Sequence, residues 1–218
     1  EEGLKEHLQI LEALFEALRA YHMILKLSKC EFLMRRTMFL GFPIDPEFVY
    51  LDLAKVQVIK QIARPSTKTG MRRLLGLLNF QRNFIPKFAL RSAPLYELLK
   101  KEHPDKYPDV LWTQNRIDAF IDLTTSLAEN ARLAHPDYSV TASPLILTVD
   151  AARDGCGFML SQPQRTALSE GKLMEVAIAY GSRLFIGKEV IQGASVRELL
   201  GLYAALSCFE SYLRFCSF

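Results

Sequence analysis

The sequence predicts an α/β fold of the α+β kind, in which amphipathic helices and short strands follow one another along 218 residues. One observation is an apolar stripe at helical spacing near the start of the chain, formed by Leu4, Leu8, Leu11, Phe15 and Leu18. A second is the alternating pattern of residues 145–149, which is typical of a strand. Because half of the residues are hydrophobic, the chain can bury a real core in one large module or in two or three small ones.

The first half of the chain is punctuated by residues that begin and end helices. The apolar stripe predicts a helix over residues 2–25, and residues 38–44 read as a short strand-like segment. Pro46 and Pro65 bracket a helix over residues 52–63, which Asp52 can cap.

A second basic helix begins at Ser66 or Thr67, and Pro86 separates it from a third that runs to Lys101. In the second helix and the residues up to Pro86, the spacing predicts an inward face of Leu74, Leu77, Leu78 and Phe84. The same spacing predicts an outward face of Arg72, Arg73 and Arg82. Gly76 is costly inside a helix, so we expect a packing reason or the close approach of another backbone.

The second half reads as a hairpin, a third strand and a helix. The strand of residues 145–150 ends at Asp150, and Asp154-Gly155 with Gly157 allow a tight turn into a strand over residues 156–161. A polar loop and a strand over residues 174–183 follow. Helical spacing then puts Glu198 in the first turn of a helix whose predicted buried residues are Leu199, Leu202, Leu206 and Phe209.

Charge is distributed unevenly along the chain. Residues 60–101 carry ten basic side chains and one acidic one, whereas the rest of the chain is acidic on balance. This basic segment is either a solvated helix face or a surface for a phosphate backbone, and the interleaved Phe80, Phe84 and Phe88 suit the second interpretation.

Two carboxylates stand out as candidate metal ligands, since hard cations such as Mg²⁺ prefer oxygen donors. Asp150 follows a strand beside a glycine-rich turn, and Glu198 opens a helix. An aspartate after a strand is also a common cap or turn residue, so the residues alone leave both interpretations open. The four cysteines have no metal-ligand spacing and are predicted to be reduced thiols, and no apolar run is long enough to cross a membrane.

Several motifs resemble one protein family in order and spacing. The strings TVDAARDGCGFMLSQ, IAYGSRLF and RELLGLYAAL resemble the ribonuclease H domain of gypsy-type LTR retrotransposon Pol polyproteins. LLGLLNFQRNFIPKFA resembles the thumb signature of the same family, typically LGLxNYYRRFIPxFS, and KCEF with FLG resembles the end of its polymerase palm. Phe42-Pro43 and Gln81 depart from the family pattern, as a divergent or decaying copy would.

The resemblance implies a domain order and a set of functional residues. It implies the end of a reverse transcriptase palm over residues 1–50, a helical thumb over 51–103, a connection over 104–143 and an incomplete RNase H-like domain with a mixed sheet over 144–218. Asp150 and Glu198 would be catalytic ligands of Mg²⁺ or Mn²⁺. Phe39, Leu40 and Gly41 would form the primer grip, although an ordinary hairpin fits these residues equally well. The implied nucleic-acid contacts are Lys68, Arg72, Arg73, Asn79, Arg82, Lys87 and Arg183, of which Arg183 also suits a plain surface role.

The implied parent is an RNA-directed DNA polymerase with RNase H activity that binds RNA–DNA hybrid or primer-template. It would act in the cytoplasm, in virus-like particles or in the nucleus, without a membrane. The family's YxDD motif would precede Glu1 and its later carboxylates would follow Phe218, within the remainder of the polyprotein. We therefore expect at most feeble nuclease activity from this chain alone. A non-catalytic nucleic-acid-binding module and a protein-interaction scaffold are the alternatives.

Overall fold

The computed structural model describes residues 2–127 and 132–214, and the chain forms two compact units, Glu1–Thr37 and Met38–Phe218. The first unit is built on helix α1, Glu2–Ala20, in which Phe15 meets Phe32 edge to face with ring centroids 6.2 Å apart. The helix ends five residues before the predicted Leu25. His22 adopts a left-handed conformation with φ 54°, and the Met23 N–H bonds back to Leu18 O at 2.9 Å, a helix-ending motif that usually carries glycine.

The second unit contains helices and two antiparallel sheets. Its helices are α2 (Leu53–Lys60), α3 (Lys68–Phe80), α4 (Phe88–Glu97), α5 (Gln114–Ser126), α6 (Ala194–Cys208) and α7 (Glu210–Leu213). One sheet has the order β1-β2-β3-β4, formed by Thr37–Phe39, Phe42–Ile44, Phe48–Tyr50 and Arg132–Ala134. The other has the order β5-β6-β7, formed by Ile146–Ala151, Gly155–Gln164 and Met174–Leu184. No helix among the described residues is long and apolar enough to span a membrane.

Two helix starts follow the capping chemistry predicted from the sequence. The Ala54 N–H donates to the Asp52 carboxylate at 3.0 Å, and the Gly70 N–H donates to the Thr67 hydroxyl at 3.1 Å. Each cap satisfies a backbone donor that has no partner within the helix. Asp52 and Thr67 therefore fix where α2 and α3 begin.

One stripe of α3 lies in the main hydrophobic core of the second unit. Leu74, Leu78 and Phe84 lie in this core as predicted, and Leu75, which was not predicted to face inward, is buried with them. Leu77 was predicted to face inward but is 42% exposed, while its neighbour Leu78 is fully buried. Successive residues lie about 100° apart around a helix, so the stripe through Leu74, Leu75 and Leu78 turns Leu77 outward.

Short connections make the β5-β6-β7 sheet antiparallel, rather than mixed as predicted, over the residues the structure describes. Its register places Asp150 opposite Gly157 and Gly157 opposite Ser182, so these three residues form one row across the strands. Helix α6 packs on one face of this sheet.

The buried face of α6 differs from the predicted one. Phe209 is buried as predicted, but Leu199, Leu202 and Leu206 are exposed, and Gly201 and Ala205 are buried in their place. A Cβ at Gly201 would lie 3.0 Å from Val149 Cγ1, so the helix backbone approaches the sheet closely. Small side chains at Gly201 and Ala205 permit that approach and leucines would not, which is why Leu199, Leu202 and Leu206 face outward.

The segments predicted as palm, thumb and connection are joined by direct contacts. Strand β4 pairs with β3, with Leu133 opposite Val49, and Arg91 of α4 forms an ion pair with Asp122 of α5 at 2.6 Å. His135 lies 2.9 Å from Asp45 O through its Nε2 and has a structural role. The boundaries after residues 50, 103 and 143 stay a prediction, since all three fall inside one compact unit.

Truncating Leu78 to alanine should destabilise the second unit far more than truncating Leu77. We expect Leu78→Ala to lower the free energy of unfolding by about 2–5 kcal/mol, because it leaves a cavity in the core. We expect Leu77→Ala to change it by less than about 1 kcal/mol. Urea denaturation followed by circular dichroism measures both, and equal losses would contradict the orientation of α3.

Candidate nucleic-acid interface and metal-binding carboxylates

The outward face of α3 combines positive charge, an amide and an aromatic ring with a bare stretch of backbone. Its exposed residues include Arg72, Arg73, Gly76, Asn79 and Phe80. A Cβ built at Gly76 would meet nothing within 4 Å. The described residues therefore give no packing reason for this glycine, and of the two predicted explanations the close approach of another backbone remains.

The β1–β2 hairpin adjoins this face of α3. Leu40 and Gly41 at its tip both have positive φ, 49° and 86°, as in the tight hairpin turns that match strand twist. Lys55 donates its ammonium to Gly41 O at 3.0 Å. Phe42 stacks on Phe80 with ring centroids 4.9 Å apart. The hairpin tip is thus anchored beside the C-terminal end of α3.

Leu40 is unusual because a branched apolar side chain occupies a left-handed position that glycine or asparagine normally takes. Its side chain is exposed, as is that of Phe39. The predicted primer-grip residues therefore form an exposed apolar tip supported from behind by Lys55 and Phe42.

The seven predicted nucleic-acid contacts occupy different environments. Arg72, Arg73, Asn79 and Arg82 are exposed. Lys68 is only 7% exposed, and its ammonium lies 4.0 Å from the Asp105 carboxylate. Lys87 is exposed and Arg183 is half-buried, and each forms an ion pair with a carboxylate of this chain, as described below.

Arg183 donates to the Glu189 carboxylate at 2.7 Å. The Ile186 N–H donates to the same carboxylate at 3.0 Å, and these two hydrogen bonds lower the pKa of Glu189. The charge of Arg183 is thus balanced within the turn that follows β7.

A cavity of about 280 Å³ lies between the end of α3, α4 and β7. Asn79 and Arg82 line it on one side, and Ser182 and Cys208 line it on the other. Cys208 is exposed as a residue, but partial desolvation of its thiol raises the pKa of that thiol, and the positive charge of Arg82 acts in the opposite direction. The cavity extends the exposed polar surface of α3 toward the second sheet.

Asp150 lies on β5 and faces away from α6. Its neighbours Val149 and Ala151 contact the α6 backbone at Gly201, and side chains alternate along a strand. The Asp150 carboxylate accepts a hydrogen bond from the Lys87 ammonium. Glu198 is exposed on α6, one turn before Gly201.

The chemistry of this donor set suits a divalent cation in part. Asp150 and Glu198 offer exposed carboxylate oxygens, and the Lys87 ammonium already stands beside Asp150 as a cation. Within residues 2–127 and 132–214, however, no group of three or more His, Cys, Asp or Glu side chains could hold a metal. The described residues therefore supply two candidate ligands, and neither belongs to such a cluster.

Sequence reasoning missed Lys55 and the partner of Lys87. No local pattern links Lys55 to Gly41, which lies fourteen residues earlier. The Lys87–Asp150 pair joins residues separated by 63 positions. One indirect signal for the Lys87–Asp150 pair was present in the sequence: the strings IPKF and TVDAARDGCG, which contain these two residues, both resemble the same protein family.

Comparison with known proteins gives a consistent result. Residues 112–218 match the RNase H-like domain found in reverse transcriptase. The chain is 29% identical over 209 residues to the Pol polyprotein from transposon 412 of Drosophila melanogaster, covering 96% of the chain and 16% of that protein. It is 28% identical to the Pol polyprotein from transposon gypsy of the same species, covering 97% of the chain and 20% of that protein. The chain thus spans about a fifth or less of the length of these relatives.

Solved structures of a viral reverse transcriptase resemble nearly the whole chain. A foamy viral protease-reverse transcriptase in complex with RNA/DNA hybrid matches with a TM-score of 0.72 and 26% identity, over 94% of this chain and 26% of that one. The dRH form in complex with double-stranded DNA matches with a TM-score of 0.73 and 26% identity, over 95% and 34%. Residues 112–218 are therefore similar to the RNase H-like domain found in reverse transcriptase, and the chain as a whole is similar to Pol polyproteins from gypsy and other LTR transposons.

Proposed function

We propose that the exposed face of α3 and the β1–β2 hairpin hold an RNA–DNA hybrid or primer-template within a retrotransposon reverse transcriptase. The observation that carries this proposal is Gly76, a glycine in the middle of a capped helix whose missing side chain leaves open space. Such a glycine destabilises a helix by about 1 kcal/mol relative to alanine, and nothing within the described residues compensates for it. A nucleic-acid backbone or groove edge that lies against α3 would use that space.

The residues around Gly76 suit such a partner. Arg72 lies one turn before Gly76 and Phe80 one turn after it, so a cation and an aromatic ring flank the bare backbone on one helix face. Arginine contacts phosphates and releases counterions, which gives affinity without sequence preference. A hybrid duplex with a wide, shallow minor groove allows a flat helix face to approach, and shape then governs recognition.

The hairpin tip would contact the same duplex farther along. Phe42 fixes the hairpin to Phe80, so the tip at Leu40 and the helix face move as one surface. The related foamy viral enzyme is in complex with RNA/DNA hybrid in one structure and with double-stranded DNA in another, which supports a duplex as the partner.

We further propose that Asp150 and Glu198 contribute to the binding of Mg²⁺ or Mn²⁺, since RNase H-like domains of reverse transcriptases use divalent metals. The metal would supply activation of water and stabilisation of the leaving oxygen in phosphodiester hydrolysis. Two carboxylates hold Mg²⁺ weakly, so the hybrid-binding role of this chain exceeds its hydrolytic one. The intracellular location of the parent enzyme stays a prediction.

A non-catalytic nucleic-acid-binding module is the second candidate. The observation that favours it is the pairing of Asp150 with Lys87, which neutralises one of the two candidate ligands. Binding of hybrid with a steep salt dependence and no cleavage by the complete polyprotein would support this candidate over the enzyme.

Replacing Gly76 should affect protein stability and hybrid binding in different ways. Gly76→Ala should raise the free energy of unfolding by roughly 0.5–1 kcal/mol, because alanine favours the helix and the added Cβ meets no atom. Gly76→Gln should weaken hybrid binding by roughly tenfold or more while the protein stays folded. Fluorescence anisotropy with a labelled hybrid measures the affinity. Unchanged affinity for Gly76→Gln would remove the main support for the interface.

Neutralising the arginines of α3 should reduce both the affinity for hybrid and its salt dependence. For the pair Arg72→Gln and Arg73→Gln, we expect the slope of log affinity against log salt to become shallower by roughly 0.9 per lost phosphate contact. Arg214→Gln is the control, since Arg214 is exposed, lies outside α3 in sequence and pairs with Glu210 of α7. Equal effects of the control and the double variant would indicate a diffuse charge effect.

Removing either candidate metal ligand should weaken Mn²⁺ binding. Asp150→Asn and Glu198→Gln keep the size of each side chain and remove its charge, so we expect each to raise the Mn²⁺ dissociation constant by roughly tenfold. Isothermal titration calorimetry of the folded chain measures the constant without relying on cleavage, and Asp154→Asn is the control. Wild-type affinity in both variants would exclude these residues as ligands.

A further inference from the structure

The cavity at the C-terminal end of α3 is too small for a duplex, but it has room for one nucleotide. Its volume of about 280 Å³ lies just below the range of roughly 300–1,000 Å³ that is usual for small-molecule sites. Its lining comes from the residues around the end of α3, from α4, from strand β7 and from the end of α6. A ligand in this cavity would therefore contact both the helical segment and the β5-β6-β7 sheet.

The polar groups that line this cavity have unused hydrogen-bonding capacity. Among the described residues, no hydrogen bond or ion pair engages the side chains of Asn79, Arg82 or Asn83. The Ser182 hydroxyl accepts the Ala89 N–H at 2.8 Å, and no described acceptor takes its own proton. A ligand that carries both donors and acceptors would satisfy these groups, as the edge of a nucleobase does.

The charge of the lining favours an anion. Among the described residues of the lining, Arg82 is the one cation, and none is Asp or Glu. The raised pKa of the Cys208 thiol keeps that group neutral at physiological pH, so it adds no negative charge. Phe88 and Ala89 bring the first turn of α4 to the cavity, and with it the positive end of the helix dipole. A phosphate group would therefore be attracted to this space.

Aromatic side chains provide the surface on which a base can stack. Tyr96 is 42% exposed and Tyr180 is half-buried, and both line the cavity. Burial raises the pKa of the Tyr180 hydroxyl, which therefore stays protonated and can donate a hydrogen bond. Proteins hold single-stranded bases by stacking them on aromatic rings, whereas the bases of an intact duplex are already stacked on one another.

We propose that this cavity is a binding site for one unpaired nucleotide. The tyrosine rings would hold its base, Asn79 and Asn83 would contact the edge of the base, and Arg82 would bind its phosphate. Asparagine forms two hydrogen bonds with adenine, so adenine is the base that suits the site best.

This inference rests on the proposed function, because a strand bound on α3 is the expected source of the nucleotide. Asn79 and Arg82 belong both to the predicted nucleic-acid contacts and to the cavity lining, so the two sites are continuous. An unpaired base costs less to extrude from a duplex than a paired one. The cavity would therefore favour a hybrid with a bulged nucleotide over a fully paired hybrid.

The test uses three ligands of the full 218-residue chain: a fully paired RNA–DNA hybrid, the same hybrid with one bulged adenosine, and adenosine 5′-monophosphate alone. Fluorescence anisotropy measures the affinity for the two labelled hybrids. Maleimide labelling of Cys208, quantified by mass spectrometry, reports whether the cavity is occupied. Cys30 is the internal control, since it is a free thiol in the other compact unit.

Two variants change the cavity without changing the predicted contacts on α3. Asn83→Ala removes an amide, and Tyr96→Leu removes an aromatic ring but keeps apolar bulk on α4. Asn115→Ala and Tyr203→Leu are the matched controls, because Asn115 and Tyr203 are exposed residues outside the cavity lining.

We expect wild type to bind the bulged hybrid roughly fivefold or more tightly than the paired hybrid, as stacking of one base predicts. Asn83→Ala and Tyr96→Leu should lose most of this preference and keep wild-type affinity for the paired hybrid. At saturation, the bulged hybrid should protect Cys208 much more than the paired hybrid does and leave Cys30 reactive. The mononucleotide should also protect Cys208.

The outcomes separate this inference from the proposed function. Equal affinities of wild type for the two hybrids would overturn the nucleotide site and leave the duplex interface standing. Failure of both hybrids to bind, with Cys208 protected by the mononucleotide, would overturn the duplex interface and support a site for free nucleotides. A preference for the bulged hybrid that Asn83→Ala and Tyr96→Leu retain, or that the control variants lose equally, would overturn the assignment to this cavity.

Discussion

The burial of one stripe of α3 is the constraint from which the rest of the proposed interface follows. Leu74, Leu75 and Leu78 lie in the core and fix the rotation of the helix about its axis. Once that rotation is fixed, Arg72, Gly76 and Phe80 can only face outward. Burial of the leucines thus orients Arg72, Gly76 and Phe80, although these three residues contribute little to the hydrophobic core themselves.

The same constraint positions the hairpin. The side chain of Phe80, the last residue of α3, points outward and stacks on Phe42. This contact places the exposed hairpin tip at Leu40 and Gly41 beside the helix face. Phe42 departs from the family pattern at this position, and its stacking on Phe80 and on Phe84, at 5.7 Å, gives the departure a structural role. Two segments that are distant in sequence therefore form one surface.

Local chemistry made much of this structure predictable. Asp52 and Thr67 cap helices as expected, and the Asp154-Gly155 turn begins β6 as the hairpin pattern indicated. Tertiary packing decided the rest. Helix α6 needed small residues against the sheet, which reversed the expected roles of its leucines. His22 ended α1 in a conformation that the sequence pattern assigns to glycine.

The sequence was enough to select the residues of the candidate site, but it did not predict which of them contact one another. Sequence reasoning selected Lys87 and Asp150 for different tasks, yet the structure pairs them over Gly157. Such a pair depends on strand register and loop position, which no window of sequence contains. The Lys87–Asp150 pair is thus a direct contact between the predicted thumb and the RNase H-like domain.

The most direct test of the proposed interface is whether an RNA–DNA hybrid protects the arginines of α3 from chemical modification. The chain would be treated with phenylglyoxal in the absence and presence of an RNA–DNA hybrid, and each modified arginine quantified by mass spectrometry. If α3 is the interface, the hybrid should strongly protect Arg72, Arg73 and Arg82, whereas Arg19, Arg153 and Arg214 should be modified equally in both samples. Protection confined to the second group, with Arg72 and Arg73 unchanged, would contradict the assignment of α3 as the nucleic-acid interface.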